Sequence, residues 1–159
     1  MTVNSKTTLT RELYDGLQLV EFDRWDAIIA DDVLINSPAQ FGQIGLGALK
    51  EWAKWFVRLG KRIDLVDEHL ALDEQGNGRG FIVFNLHWKH DEPFFHIGPT
   101  GREGTSVETI VLKIENHRIS QIDVASNTVD LVLYLTQRGW PYPHNVRPEP
   151  LVAGLDRSA

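Results

Sequence analysis

Residues 105–125 leave little freedom in how this chain can fold. Two strand-like runs, 105–114 and 118–125, flank Glu115-Asn-His117, a polar break of the kind that closes a hairpin. Successive strand side chains point to opposite faces. Ile110, Leu112 and Ile114 therefore share one face, and Val107, Thr109 and Val111 the other. Glu108 falls on the aliphatic face. A carboxylate in line with three aliphatic side chains is costly to bury unless something pairs with it or protonates it. This makes Glu108 the strongest single functional signal in the sequence. In an apolar cavity its pKa would rise, leaving it a proton shuttle near neutral pH. The competing reading places it near the strand's start, at a rim, solvated or paired with Arg102.

The rest of the chain supplies helices and more strands. Thr10 is expected to cap a first helix carrying Leu13, Tyr14, Leu17 and Val20, which Gly16 weakens. Residues 22–30 read as a second short helix, started by Asp23 and presenting Trp25, Ile28 and Ile29. Asp31-Asp32 then breaks into a short strand, 33–37, stopped by Pro38. Glycines 42, 45 and 47 mark a bent strand pair or turn and lack the spacing of a dinucleotide loop. Residues 46–59 form an amphipathic helix with Leu49, Trp52, Ala53, Phe56 and Leu59 on one side. Strands are expected over 62–72 and 79–90, separated by a turn at 74–78. Residues 94–97 continue the second after a break at Asp91-Glu-Pro93. Thr128 caps a last helix ended by Gly139. One domain, 1–140, is followed by a Pro-rich tail, 141–159. Helices first, one helix inserted among strands, then antiparallel strands and a final helix make an α+β layout. A curved sheet wrapped around the long helix leaves one open end, where a pocket forms.

Composition narrows the partners. The 159 residues carry a net charge of −6 and no basic cluster longer than Lys61-Arg62. Neither a nucleic acid nor an anionic membrane suits that balance. The absence of cysteine removes disulfides, thiolate catalysis and cysteine-ligated zinc. The first ten residues are polar, and no run approaches the roughly 18 apolar residues that span a bilayer. A cytoplasmic protein is therefore the expectation. His87-Trp-Lys-His90-Asp91 offers metal-ligand types, but strand alternation scatters them, so no metal and no cofactor is expected. His87 and His90 face opposite ways, and one of them can reach a pocket as an acid–base group. The alternative for each is a half-buried or surface imidazole with a backbone partner. Tyr14 is either a donor to a developing enolate oxygen or a core tyrosine. Trp52, Phe56 and Trp88 either line a pocket for a flat apolar ligand or form plain core. No serine lies in a nucleophile-elbow sequence.

Several segments, taken in order, resemble SnoaL-like (polyketide cyclase-like) proteins. They are Tyr14, Asp31-Asp-Val-Leu-Ile-Asn-Ser-Pro38, Gly45-Leu-Gly-Ala-Leu49, Gly98-Pro-Thr-Gly-Arg102, Val111-Leu-Lys-Ile-Glu-Asn-His-Arg-Ile119 and Leu131 through Gln137-Arg-Gly139. The resemblance covers about residues 10–140. It implies the cone-shaped α+β fold shared by nuclear transport factor 2 and ketosteroid isomerase, a curved antiparallel or mixed sheet wrapped around helices. It also implies a homodimer formed through the outer sheet face, with Val107, Thr109 and Val111 in the patch. On this resemblance Tyr14 sits where ketosteroid isomerases keep a pocket-facing tyrosine. Asn36 matches an asparagine of polyketide cyclases, and His90 a recurring histidine. The chain departs from the pattern at Ser37, where the isomerases keep an aspartate base, and at Val124, where cyclases and limonene-type epoxide hydrolases keep an inward aspartate. Asn127 stands where many relatives carry a further aspartate. Asp123 points inward only if a β-bulge shifts the strand.

The expected function is a cofactor-free acid–base enzyme, an isomerase, aldol-type cyclase or lyase, acting on a small apolar carbonyl-containing metabolite. Glu108, His90 or Asp123 would move the proton, and Tyr14 and Asn36 would polarise the oxygen. A non-catalytic small-molecule-binding or dimerisation module is the alternative, and an epoxide hydrolase the third.

Overall fold

The computed structural model describes residues 8–37, 40–93 and 97–126. The expected last helix, the Pro-rich tail, Asn127 and the segment 94–96 lie outside the described residues.

A mixed sheet organises the chain. Its strands are β1 (Ile29–Ser37), β2 (Gln40–Ile44), β3 (Gly60–Leu72), β4 (Gly78–Lys89), β5 (Glu103–Glu115) and β6 (Arg118–Ala125), in the order β2-β1-β6-β5-β4-β3. β1 and β6 run parallel, and the other neighbouring pairs antiparallel. The helices α1 (Leu9–Gln18) and α2 (Leu46–Leu59) supply the side chains that cover one sheet face. This is the open, curved-sheet α+β arrangement that the pattern of elements implies.

The centre of the sheet follows from alternation. β4 and β5 pair without interruption from Gly78↔Ile114 to Lys89↔Glu103. Ile82, Phe84, Leu86 and Trp88 of β4, with Ile110, Leu112 and Ile114 of β5, are buried on the helix side. The β5–β6 hairpin closes at Asn116 and His117, with φ of 50° and 62°. Two central residues at positive φ match the right-handed twist of the strands they join. His117 N–H donates to the Gly76 carbonyl at 2.8 Å, and Asn116 N–H donates to Asn77 Oδ1 at 3.0 Å. Those bonds tie this hairpin to the β3–β4 turn. A bulge interrupts β6, because the register passes from Lys113↔Gln121 to Ile114↔Ile119. Ser120 is the extra residue, so Ile119 and Ile122 both face inward.

Phe84, 2 % exposed, joins helices to sheet. Tyr14 of α1 meets it edge-on at 6.5 Å, and Phe56 of α2 at 6.4 Å and 87°. Trp52 stacks on Phe56 at 5.1 Å.

Three local expectations are corrected. Thr8, not Thr10, caps α1, accepting a hydrogen bond from Arg11 N–H at 3.2 Å; Thr10 lies buried in the first turn. Residues Phe22–Ala27 form a 3-10 helix, and Ile29 already belongs to β1. Asp31 and Asp32 do not break that strand. The β1–β6 register is interrupted between Ile29 and Leu34, so both aspartates stay in solvent where the ladder opens.

Gly16, read from sequence as a weakness in α1, is a contact surface. A Cβ there would lie 2.3 Å from Trp25 Nε1, whose N–H donates to the Leu13 carbonyl at 3.2 Å. Gly16→Ala gains about 1 kcal/mol of helix propensity but overpacks a buried indole, which costs about 1–3 kcal/mol. Urea denaturation should show a net loss of up to about 2 kcal/mol.

Candidate functional site

A small cavity lies between the two helices and the concave face of the sheet. Its wall includes Leu13 and Tyr14 of α1, Trp52 of α2, Phe84 of β4, Ile110 of β5 and Val124 of β6, and it is apolar throughout. Its volume is about 20 Å³, room for about one water. An apolar void of that size stays dry, and any guest larger than a water must widen it.

Glu108 stands one strand step from this wall. It shares the concave face of β5 with Ile110, lies opposite Phe84 in the β4–β5 register, and is 5 % exposed. Burial pushes its carboxyl from the usual 4.5 up to about 7, against a smaller lowering by a hydrogen bond from Ser126. Arg102 is not among the groups that act on it. Six residues of extended chain separate the two, about 20 Å. Glu108 is thus neither at a solvated rim nor ion-paired. Near neutral pH it holds comparable populations of acid and carboxylate.

His90 also faces inward and is fully buried. Thr100 N–H donates to its Nδ1 at 3.3 Å, with Thr100 Oγ1 2.9 Å away. That arrangement puts the proton of the neutral ring on Nε2. Nε2 is buried and has no hydrogen-bond partner among the described residues. His90 does not meet Glu108, however. It lies six residues along β4 from Phe84, the residue opposite Glu108, about 20 Å away. The outward-facing histidine, His87, contacts Asp64 at 2.7 Å and Thr105 at 3.0 Å on the other side of the sheet.

The remaining candidates are distributed over both faces. Tyr14 turns its ring to the cavity, but its hydroxyl donates to the Ile63 carbonyl and accepts from Leu65 N–H, both at 3.1 Å. Its one proton is committed to the edge strand β3, and burial raises its pKa above the usual 10.0. Asp123 lies on the outer face, because the β6 bulge falls before it, at Ser120, and leaves Ile122 and Val124 inward. Asn36 is beside it, donating to Asp123 Oδ1 at 2.8 Å and accepting from Gly42 N–H at 3.0 Å. Gln121 completes this outer cluster with bonds of 3.0 and 2.9 Å to Asp123. Trp52 and Val124 line the cavity. Phe56 meets Phe84 edge-on, and Trp88 packs against Gly104. Ser106, two residues from Glu108 on the same face, is a buried polar residue that sequence reasoning missed. Its signal was the alternation that singled out Glu108, extended one step toward the strand's start. Among the described residues no three His, Cys, Asp or Glu side chains converge as a metal site would require, and no helix is long and apolar enough to cross a membrane.

No family model and no curated protein matches the sequence. The shape matches many solved structures. A candidate SnoaL-like polyketide cyclase from Jannaschia sp. CCS1 shares 11% identity, covering 87% of this chain and 99% of its own, at a TM-score of 0.64. A candidate polyketide cyclase from Pseudomonas putida KT2440 shares 17% identity over 80% of this chain and 97% of its own, at a TM-score of 0.64. A candidate hydroxylase from Streptomyces galilaeus shares 12% identity over 82% of this chain and 95% of its own, at 0.61. The fold of this chain is that of SnoaL-like proteins.

Glu108 ties stability to pH. Its folded-state pKa lies above the unfolded one, so the folded state binds the extra proton and stability falls as pH rises from 4.5 to about 7. The loss, about 3 kcal/mol, is constant above that window. Glu108→Gln, neutral throughout, should match the wild type near pH 4 and exceed it by about 3 kcal/mol at pH 8 in chemical denaturation.

Proposed function

We propose that this protein is an acid–base enzyme, an isomerase, aldol-type cyclase or lyase, acting on a small apolar carbonyl compound with Glu108 as the group that moves the proton. The observation that carries this reading is a carboxyl buried beside an apolar cavity and poised at about 7. General acid–base catalysis is most efficient when the group's pKa lies near the working pH. As carboxylate, Glu108 takes a proton from the carbon next to the guest's carbonyl, leaving a neutral acid and an enolate. As acid, it returns the proton to the same or a neighbouring carbon. Charge and protons balance within the pair. The candidate-cyclase descriptions of the structural neighbours agree with carbonyl chemistry of this kind.

The test is solvent exchange. In D2O, a small ketone such as acetone or 2-butanone should take up deuterium at the carbon next to the carbonyl, read by NMR. The rate should rise with pH to a plateau above an apparent pKa of about 7. Glu108→Gln should slow exchange by about 10²-fold or more. Exchange at the wild-type rate in that variant ends the assignment.

The apolar wall and the committed Tyr14 hydroxyl favour a second reading, a module that binds an apolar ligand without turning it over. It separates from the first by exchange that is absent in the wild type while a guest still binds.

The outer face of the sheet fits a second copy of this chain. Val107 and Val111 are 56 % and 38 % exposed, with Phe81 and Val83 beside them on β4. Two exposed valines of β5 beside the half-buried Phe81 and Val83 of β4 form an apolar patch suited to a two-fold interface. Sedimentation of the wild type at micromolar concentration should give a dimer, and of Val107→Glu a monomer.

A further inference from the structure

A second group of polar side chains, separate from Glu108, lies on the outer face of the sheet. Arg62 of β3, His87 of β4 and Thr105 of β5 are register partners in one row across three strands. Asp64 stands two residues along β3 on the same face as Arg62. Asp64 Oδ2 is 2.7 Å from His87 Nε2, and Thr105 Oγ1 is 3.0 Å from His87 Nδ1. Carboxylate, imidazole and hydroxyl thus form one chain of contacts. Arg62 Nη2 lies 3.0 Å from both Asp64 Oδ2 and His87 Nε2.

These distances assign the protons. A carboxylate oxygen 2.7 Å from a ring nitrogen needs a proton between them, because two lone pairs at that separation repel. The neutral ring therefore carries its proton on Nε2 and donates it to Asp64, and Arg62 donates to the same oxygen. Nδ1 keeps the lone pair, and the Thr105 hydroxyl donates to it. In that order the acid orients the base, and the base is ready to take the hydroxyl proton. Such a constellation is recognised by geometry and not by sequence position. Here three strands assemble it without a nucleophile-elbow sequence. Thr105 is exposed, so an acyl donor reaches its oxygen without any movement of the core.

The geometry points to Thr105 as the acyl-accepting nucleophile of an Asp64–His87–Thr105 triad that cleaves small esters bearing good leaving groups. Thr105 Oγ1 bonds to the ester carbonyl carbon while its proton passes to His87 Nδ1. The ester carbon–oxygen bond breaks, and Nδ1 gives that proton to the departing alkoxide. Water then adds to the acyl carbon with one proton going to Nδ1. The Oγ1–carbon bond breaks, Nδ1 returns the proton to Oγ1, and a carboxylic acid leaves. Asp64 holds the ring in the tautomer that both steps need. An exposed hydroxyl draws little binding energy from the rest of the donor, so the leaving group sets the selectivity. This site stands apart from the Glu108 reading, which concerns the opposite face.

The probe is p-nitrophenyl acetate. Nitrophenolate release is followed by absorbance, and the acetyl group is located by mass spectrometry of peptides from acid-quenched protein. The wild type should carry acetyl on Thr105. His87→Gln should acetylate that position about 10²-fold more slowly, Thr105→Ala should lose it, and Thr105→Ser should retain it at the same position. Nitrogen NMR of the His87 ring should place the proton on Nε2 in the wild type and show mixed tautomers in Asp64→Asn, with acetylation slowed about 10-fold or more. Acetyl on lysines but not on Thr105, wild-type acetylation in His87→Gln, loss of it in Thr105→Ser, or a wild-type ring protonated on Nδ1 would each overturn the inference.

Discussion

The register of β5 between its two neighbours decides what this molecule can do. Because the side-chain period of a strand is two, a slip of one residue would exchange every inward group for its outward neighbour. Glu108 and Ser106 would meet water, and Val107, Thr109 and Val111 would enter the core. Two devices hold the register. The unbroken ladder to β4 fixes one side. The tight turn at Asn116 and His117, itself bonded to Gly76 and Asn77, fixes the other. The conformation at that turn, two non-glycine residues at positive φ, is therefore upstream of the chemistry, although it lies at the opposite end of β5 from the polar groups.

Holding a carboxyl and a hydroxyl in an apolar wall runs against stability. The fold offsets this with the packing that surrounds them: Phe84 under Tyr14 and Phe56, Trp25 against Gly16, and the aliphatic residues at the hairpin end of the sheet. The polar residues are not spread evenly over the concave face of β5. Ile110, Leu112 and Ile114 occupy its hairpin half, and Ser106 and Glu108 the other. Tyr14 shows the same division within one side chain, its ring facing the cavity and its hydroxyl closing the edge of the sheet at Ile63 and Leu65.

What the sequence revealed follows from which signals are local. Helix α2 and the β5–β6 hairpin were legible because their hydrophobic periods are strong and their ends carry turn or glycine residues; the inward position of Glu108 came with them. The α1 cap was missed by two residues, because Thr8 and Thr10 are equally good caps and only the buried position of Thr10 separates them. Asp31 and Asp32 looked like a break, since polarity alone does not show that the ladder opens there. The facing of Asp123 depended on where a bulge fell, and a bulge at Ser120 has no sequence mark. The commitment of the Tyr14 hydroxyl is a contact between residues some fifty positions apart, which no local pattern encodes. Ser106 was readable by alternation but had no charge to draw attention.

These placements limit the chemistry more than the fold does. Among the described residues one ionisable group faces the cavity region closely enough to reach a guest there. His90 is about 20 Å along the strand, Asp123 is on the outer face, and the Tyr14 proton is committed. A mechanism that removes a proton on one side of a flat guest and delivers another on the opposite side needs two groups. A single carboxyl on a single wall must collect and return its proton on the same face of the guest. The product of such a reaction carries the original hydrogen, or a solvent hydrogen exchanged through Glu108, on the face from which it left.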